Sequence, residues 1–143
     1  MILLRTLPLL LVAACASQPG ELTGPVDKRM ADQVAAELAA GRRDFTITSP
    51  GGSVFISAVI AGAIKGSGAT LLPSGKCQSA CALMVEAVND GRIAGVEIHG
   101  AFGSPTARQD AIDWLVASGI SRDVAEKWSG PNLHRLTAEE VRR

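Results

Sequence analysis

The order in which two hydrophobic periods alternate along the chain restricts its fold more than any other feature. From Val26 to Ala40, Met30, Val34 and Leu38 recur every fourth residue with Asp32, Gln33 and Glu37 between them, and Gly41 follows as a stop. That spacing predicts an amphipathic helix. Asp44 to Thr48, DFTIT, alternates as a strand does, and Ser53 to Ile64 is apolar and alanine-rich enough for a second helix before Gly66 to Gly68 break it. ATLLPS, residues 69 to 74, reads as another short strand. SACALMVEAV, residues 79 to 88, is apolar nearly all round except Glu86, the pattern of a helix buried between layers. Asp90-Gly91 turns the chain, and IAGVEI predicts a strand that delivers His99 at its end. The rest is expected to be helical: Asp110 to Ala117, Ser121 to Trp128, and a last helix opened by the capping box of Thr137 and Glu140. The order β-α-β-α-β predicts an α/β domain with a largely parallel sheet and C-terminal helices.

The 143 residues, 47% hydrophobic and 20% charged, are enough for one modest core and one domain. Fourteen basic residues balance fourteen acidic ones, no cationic stripe is visible, and three Phe, two Trp and no Tyr leave little for stacking bases. Nucleic acid is therefore not expected as a partner. The chain opens with one cation, Arg5, and the apolar run TLPLLLVAA, too short to span a bilayer and suited to a signal peptide. Val12-Ala13-Ala14-Cys15 resembles the bacterial lipoprotein signal, which implies that Cys15 is lipidated and becomes the new N-terminus at the cell envelope. The expected organisation is a signal peptide over 1–14, a polar tether over 15–22 and one domain over 23–143. Export also places Cys77 and Cys81 in an oxidising compartment.

Ligands of α/β domains collect where strands end and helices begin, because amides there point outward unpaired. Ser49-Pro50-Gly51-Gly52 occupies one such junction, and its N–H groups suit an oxyanion. Ser79 occupies the next, with Cys77 and Cys81 in the places that glycine takes in a G-x-S-x-G nucleophile elbow. Taken singly, the first feature is most often a plain turn and the second a helix cap. Four residues apart across a strand-to-helix bend, the two cysteines are within reach of a disulfide. A Walker phosphate loop is excluded, since Thr70 stands where its first glycine would be and Cys77 where its hydroxyl would be.

TITSPGGSV, GKCQSACALM and VEIHGAFG, in that order, resemble the motifs of the proteolytic subunit of Clp protease and its exported relatives in the Clp/crotonase superfamily. The similarity spans roughly residues 23 to 140 in the order of elements, with identity confined to the three motifs. The resemblance implies repeated β-β-α and β-α units, Ser79 as nucleophile and His99 as general base. It also implies an oxyanion hole from the Gly51-Gly52 turn, with Gly52 and Ala80 as donors. The family's aspartate before the final helix has no counterpart here, and Asn132 is the candidate for orienting the imidazole. The implied activity is ATP-independent acyl transfer on a peptide or protein substrate, with no cofactor and no metal, in a chain that forms homo-oligomers and sits on a membrane through its lipid. Two alternatives stand beside it. One is a catalytically weakened domain that binds peptides or an envelope partner; the other is a zinc site of Cys77, Cys81, His99 and His134, whose spacing is poor for zinc.

Overall fold

Parallel strands cannot be joined by a tight turn and need a crossover, usually a helix. Three strands meet that requirement here: β1 (Gly20–Thr23), β2 (Asp44–Ser49) and β3 (Thr70–Cys77) form a parallel sheet in chain order, joined by helices α1 (Lys28–Ala39) and α2 (Val54–Gly66). The computed structural model describes residues 18–99, 105–117, 120–130 and 134–140. After β3 come α3 (Ala80–Val88), β4 (Glu97–Ile98), α4 (Pro105–Ala117), α5 (Arg122–Trp128) and β5 (His134–Arg135). The chain is thus α/β, with a three-stranded parallel sheet and five helices among the described residues.

The central strand follows its sequence pattern: Phe45, Ile47 and Ser49 point inward and are buried, while the residues between them are half-exposed. The starts of α1 and α2 are also local chemistry. The Asp27 side chain accepts the Met30 N–H at 3.1 Å, and Ser53 Oγ accepts the Ile56 N–H at 3.2 Å. Helix α3 is buried along its length from Ala80 to Ala87, Glu86 included, as its unbroken apolar run predicts. One core joins Leu22, Phe45, Ile60, Leu71 and Met84 to Ile98, Leu115, Ile120 and the fully buried Trp128.

Three expectations need correction. The tether does not reach residue 22: Gly20 to Thr23 pair with Phe45 to Thr48, and Leu22 is fully buried. With a single inward apolar side chain, β1 has no period to reveal it. The strand expected over IAGVEI shortens to Glu97–Ile98. The tail is not purely helical either, since β5 pairs antiparallel with β4, setting Ile98 opposite His134 and Glu97 opposite Arg135. His134 is consequently half-buried.

Near its end β3 departs from regular pairing. Ile47 faces Pro73 and Ser49 faces Cys77, so Thr48 alone stands opposite Ser74, Gly75 and Lys76. Pro73 has no N–H for the ladder, and the extra residues form a bulge that redirects the strand just before Ser79.

The capping box at the C-terminal end is present as a reciprocal pair: the Thr137 N–H donates to Glu140 Oε2 at 3.0 Å and the Glu140 N–H to Thr137 Oγ1 at 3.3 Å. Glu140 also accepts from the Lys127 ammonium of α5 and hydrogen-bonds His134 Nε2 at 2.9 Å. The Lys127 ammonium first, then the Thr137 N–H, pull the Glu140 carboxyl down to about 2. A carboxyl depressed in the folded state adds stability above its unfolded value, and that contribution fades as pH falls from 4.5 towards about 2. Wild type is therefore expected to melt higher than Glu140→Gln at neutral pH, with the gap closing across that acid window. A gap independent of pH in thermal unfolding would refute this assignment.

Candidate active site

A serine at a helix start ordinarily has extended φ/ψ and caps the helix with its hydroxyl. Ser53 does this at α2, with φ −75° and ψ 121°. Ser79 does not: its φ is 54° and ψ −124°, and its side chain makes no capping hydrogen bond to α3. Non-glycine residues rarely occupy this region, and such outliers cluster at functional sites. A sharp, strained strand-to-helix turn is also the geometry that exposes the hydroxyl in a nucleophile elbow.

Several fixed contacts hold Ser79 in this conformation. Its N–H donates to the Glu97 carbonyl at 2.8 Å, the Gln78 N–H donates to the Ser49 carbonyl at 3.1 Å, and the Cys81 N–H donates to the Gln78 carbonyl at 3.0 Å. Cys77 and Cys81 are joined by a disulfide with their Cα atoms 5.3 Å apart, bridging the last residue of β3 and the second of α3. Both cysteines are buried, so the bond lies within the core beneath the elbow.

The turn after β2 packs directly on this elbow. A Cβ on Gly51 would lie 2.7 Å from Ser79 Cβ, 2.8 Å from the Gln78 carbonyl oxygen and 3.2 Å from the Ala80 nitrogen. Glycine is required there for close approach, and φ is +102° as well. The Gly51 N–H is already given to Ser49 Oγ at 3.1 Å and so is not open to a further acceptor. That leaves Gly52 and Ala80, and Ala80 N–H is among the amides that a helix start leaves without an intrahelical partner. Gly52 is under its own constraint: a Cβ would meet the Val26 carbonyl oxygen at 2.5 Å, where Val26 and Gly52 form a parallel bridge. The turn therefore packs against the β1–α1 junction as well as presenting amides.

His99 follows β4 immediately and is half-buried. Glu97, which takes the Ser79 N–H and bridges to Gln78, lies two residues earlier in β4, and two residues of extended chain span about 7 Å. The structure thus gathers Ser79, Ala80, Gly51 and Gly52, and brings alongside them the strand that His99 follows. Asn132 and Cys15 lie outside the described residues. Asp123 sits exposed in the first turn of α5.

Two residues that sequence reasoning did not single out contribute to the site. Ser49 was visible only as part of a turn motif. The Glu97 side chain accepts from Gln78 Nε2 and from Arg135 Nη2, the latter at 3.3 Å. Its carboxyl is held below the usual range chiefly by the Gln78 hydrogen bond and then by Arg135, with desolvation opposing. The half-exposed position of Glu97 in VEI was its only signal.

The Cys77–Cys81 bond removes the two thiolates that a Cys₂His₂ zinc site would need. Among the described residues no group of three or more His, Cys, Asp or Glu side chains is placed to hold a metal, and no helix is long and apolar enough to cross a membrane. No family model and no curated protein matches the chain.

The disulfide closes a very short loop, so loop entropy predicts a contribution of roughly 2 kcal/mol. The double variant Cys77→Ala, Cys81→Ala is expected to unfold at a correspondingly lower urea concentration. An unchanged midpoint would show that the bond does not brace the elbow.

Proposed function

We propose that the protein is a serine hydrolase of Clp/crotonase type that cleaves acyl bonds of peptides at the bacterial cell envelope. The observation that carries this reading is the backbone of Ser79, φ 54° at a strand-to-helix turn, where an ordinary helix cap would need neither that angle nor a disulfide around it. A serine hydroxyl becomes a competent nucleophile when a base takes its proton. In the proposed mechanism His99 accepts the Ser79 proton as Oγ attacks the carbonyl carbon, and later returns it to the leaving amine. The oxygen's developing charge is met by the Gly52 and Ala80 amides, which need no reorganisation as the reaction proceeds. Asn132 orients the imidazole. Water then releases the acyl group by the same steps, and no ATP or cofactor enters.

The rest of the proposal follows the sequence motifs: Cys15 carries the lipid that holds the domain at the membrane, the fold continues the repeated units of the Clp/crotonase superfamily, and copies assemble as its members do.

The test is covalent labelling of the full chain by an alkyl fluorophosphonate, which traps activated serines. Labelling is expected in wild type, absent in Ser79→Ala and slowed by a factor of about 10² or more in His99→Ala. It should fall in acid, where an imidazolium cannot take the serine's proton. Asn132→Ala should slow it about tenfold or more if this amide orients the base. A folded wild-type protein that resists labelling from mildly acidic to alkaline pH would overturn the hydrolase in favour of a peptide-binding lipoprotein.

A further inference from the structure

A groove of about 410 Å³ lies between the start of α2 and the middle of α4, lined by Val54, Phe55, Ala58, Asp110 and Trp114. Its walls are two helix faces, Val54 with Ala58 on one and Asp110 with Trp114 on the other, each pair one turn apart. Phe55 is 74% exposed at its edge, and a large aromatic left in water beside a groove marks a contact surface. The groove also adjoins the elbow. Gly51 abuts Ser79, and Val54 comes three residues later, within about 10 Å of extended chain.

Among the described residues Asp110 provides the one charge in this lining. Among the described residues it has no hydrogen-bond or ion-pair partner, whereas Asp113, almost one turn on, is bonded by both Arg122 and Gln109. An apolar side chain filling the groove would strip water from an unpaired carboxylate, and an anionic one would be repelled. A long aliphatic stem ending in a cation satisfies both walls, because the stem covers apolar surface while the head meets the carboxylate and the aromatic faces.

We infer that this groove is a subsite for a lysine or arginine side chain of the peptide substrate. The inference rests on the hydrolase reading for its place beside the attacked carbonyl, and on the groove's own chemistry for its ligand class.

The test uses the full-length Ser79→Ala chain, titrated with Nα-acetyl-lysine methylamide and its norleucine and glutamate counterparts, and followed by tryptophan fluorescence. Lysine is expected to bind about tenfold more tightly than norleucine, the sum of one partly exposed ion pair and one cation–π contact. Glutamate should bind most weakly. Asp110→Asn should cut the lysine preference to the few-fold that the cation–π contact leaves and should tighten norleucine, which no longer desolvates a carboxylate, while Phe55→Ala should weaken both. Equal binding of lysine and norleucine to the Ser79→Ala chain, a lysine preference undiminished by Asp110→Asn, or no saturable binding would each overturn the subsite. Fluorophosphonate labelling of wild type, run in parallel, reports on the hydrolase alone. Labelling without lysine preference removes the subsite and keeps the enzyme; lysine preference without labelling keeps the groove's ligand class and removes the enzyme.

Discussion

Ser49, the last residue of the central strand, is the point on which both halves of the site depend. It is almost completely buried, and both of its oxygens are used. The carbonyl accepts the Gln78 N–H and so fixes the end of β3; the hydroxyl accepts the Gly51 N–H and so fixes the turn that lies against Ser79. One residue therefore sets the distance between Ser79 and the Gly51-Gly52 turn. An apolar residue would fill the space equally well but would leave the buried Gly51 amide without an acceptor, a loss of about 1–3 kcal/mol.

Ser79 is held in a conformation that costs of order 1–3 kcal/mol for a residue other than glycine. The hydrogen bond from its N–H to Glu97 joins the elbow to the strand that His99 follows. Glu97 acts at two levels: its carbonyl takes the serine amide, and its side chain is clamped between Gln78 and Arg135. Arg135 belongs to β5, so the C-terminal segment, although far from Ser79 in sequence, braces the elbow from behind.

Where hydrophobic periods are long, the fold can be read from the chain: α1, β2, α2 and α3 fall within a few residues of the segments predicted by Met30-Val34-Leu38, DFTIT and the apolar runs. β1 and β5 are not legible, for a common reason. GELT offers only Leu22 as an inward apolar side chain, and His134-Arg135 offers none, so both strands are defined by the partner they pair with rather than by their own pattern. The site divides similarly. Ser79, Gly52 and Ala80 carry local signals, since a turn and a helix start are encoded in adjacent residues. Ser49 and Glu97 carry only faint ones, because each acts through a neighbour distant in sequence.

The cysteines explain why an elbow can be built here without its usual glycines. Glycine flanks relieve crowding at a tight turn, but they leave the unfolded chain many conformations to lose. Cys77 and Cys81 take the opposite course: they fill buried space on either side of Ser79 and tie the strand to the helix covalently, so the strained residue sits inside a closed ring. Such an elbow is complete only where a dithiol is oxidised, and in a reducing cytosol it would lose its brace. The proposed signal sequence, ending just before Cys15, leads to the same oxidising compartment. On that proposal, two segments far apart in the chain, one an address and the other a covalent brace, make the same demand on where the protein works.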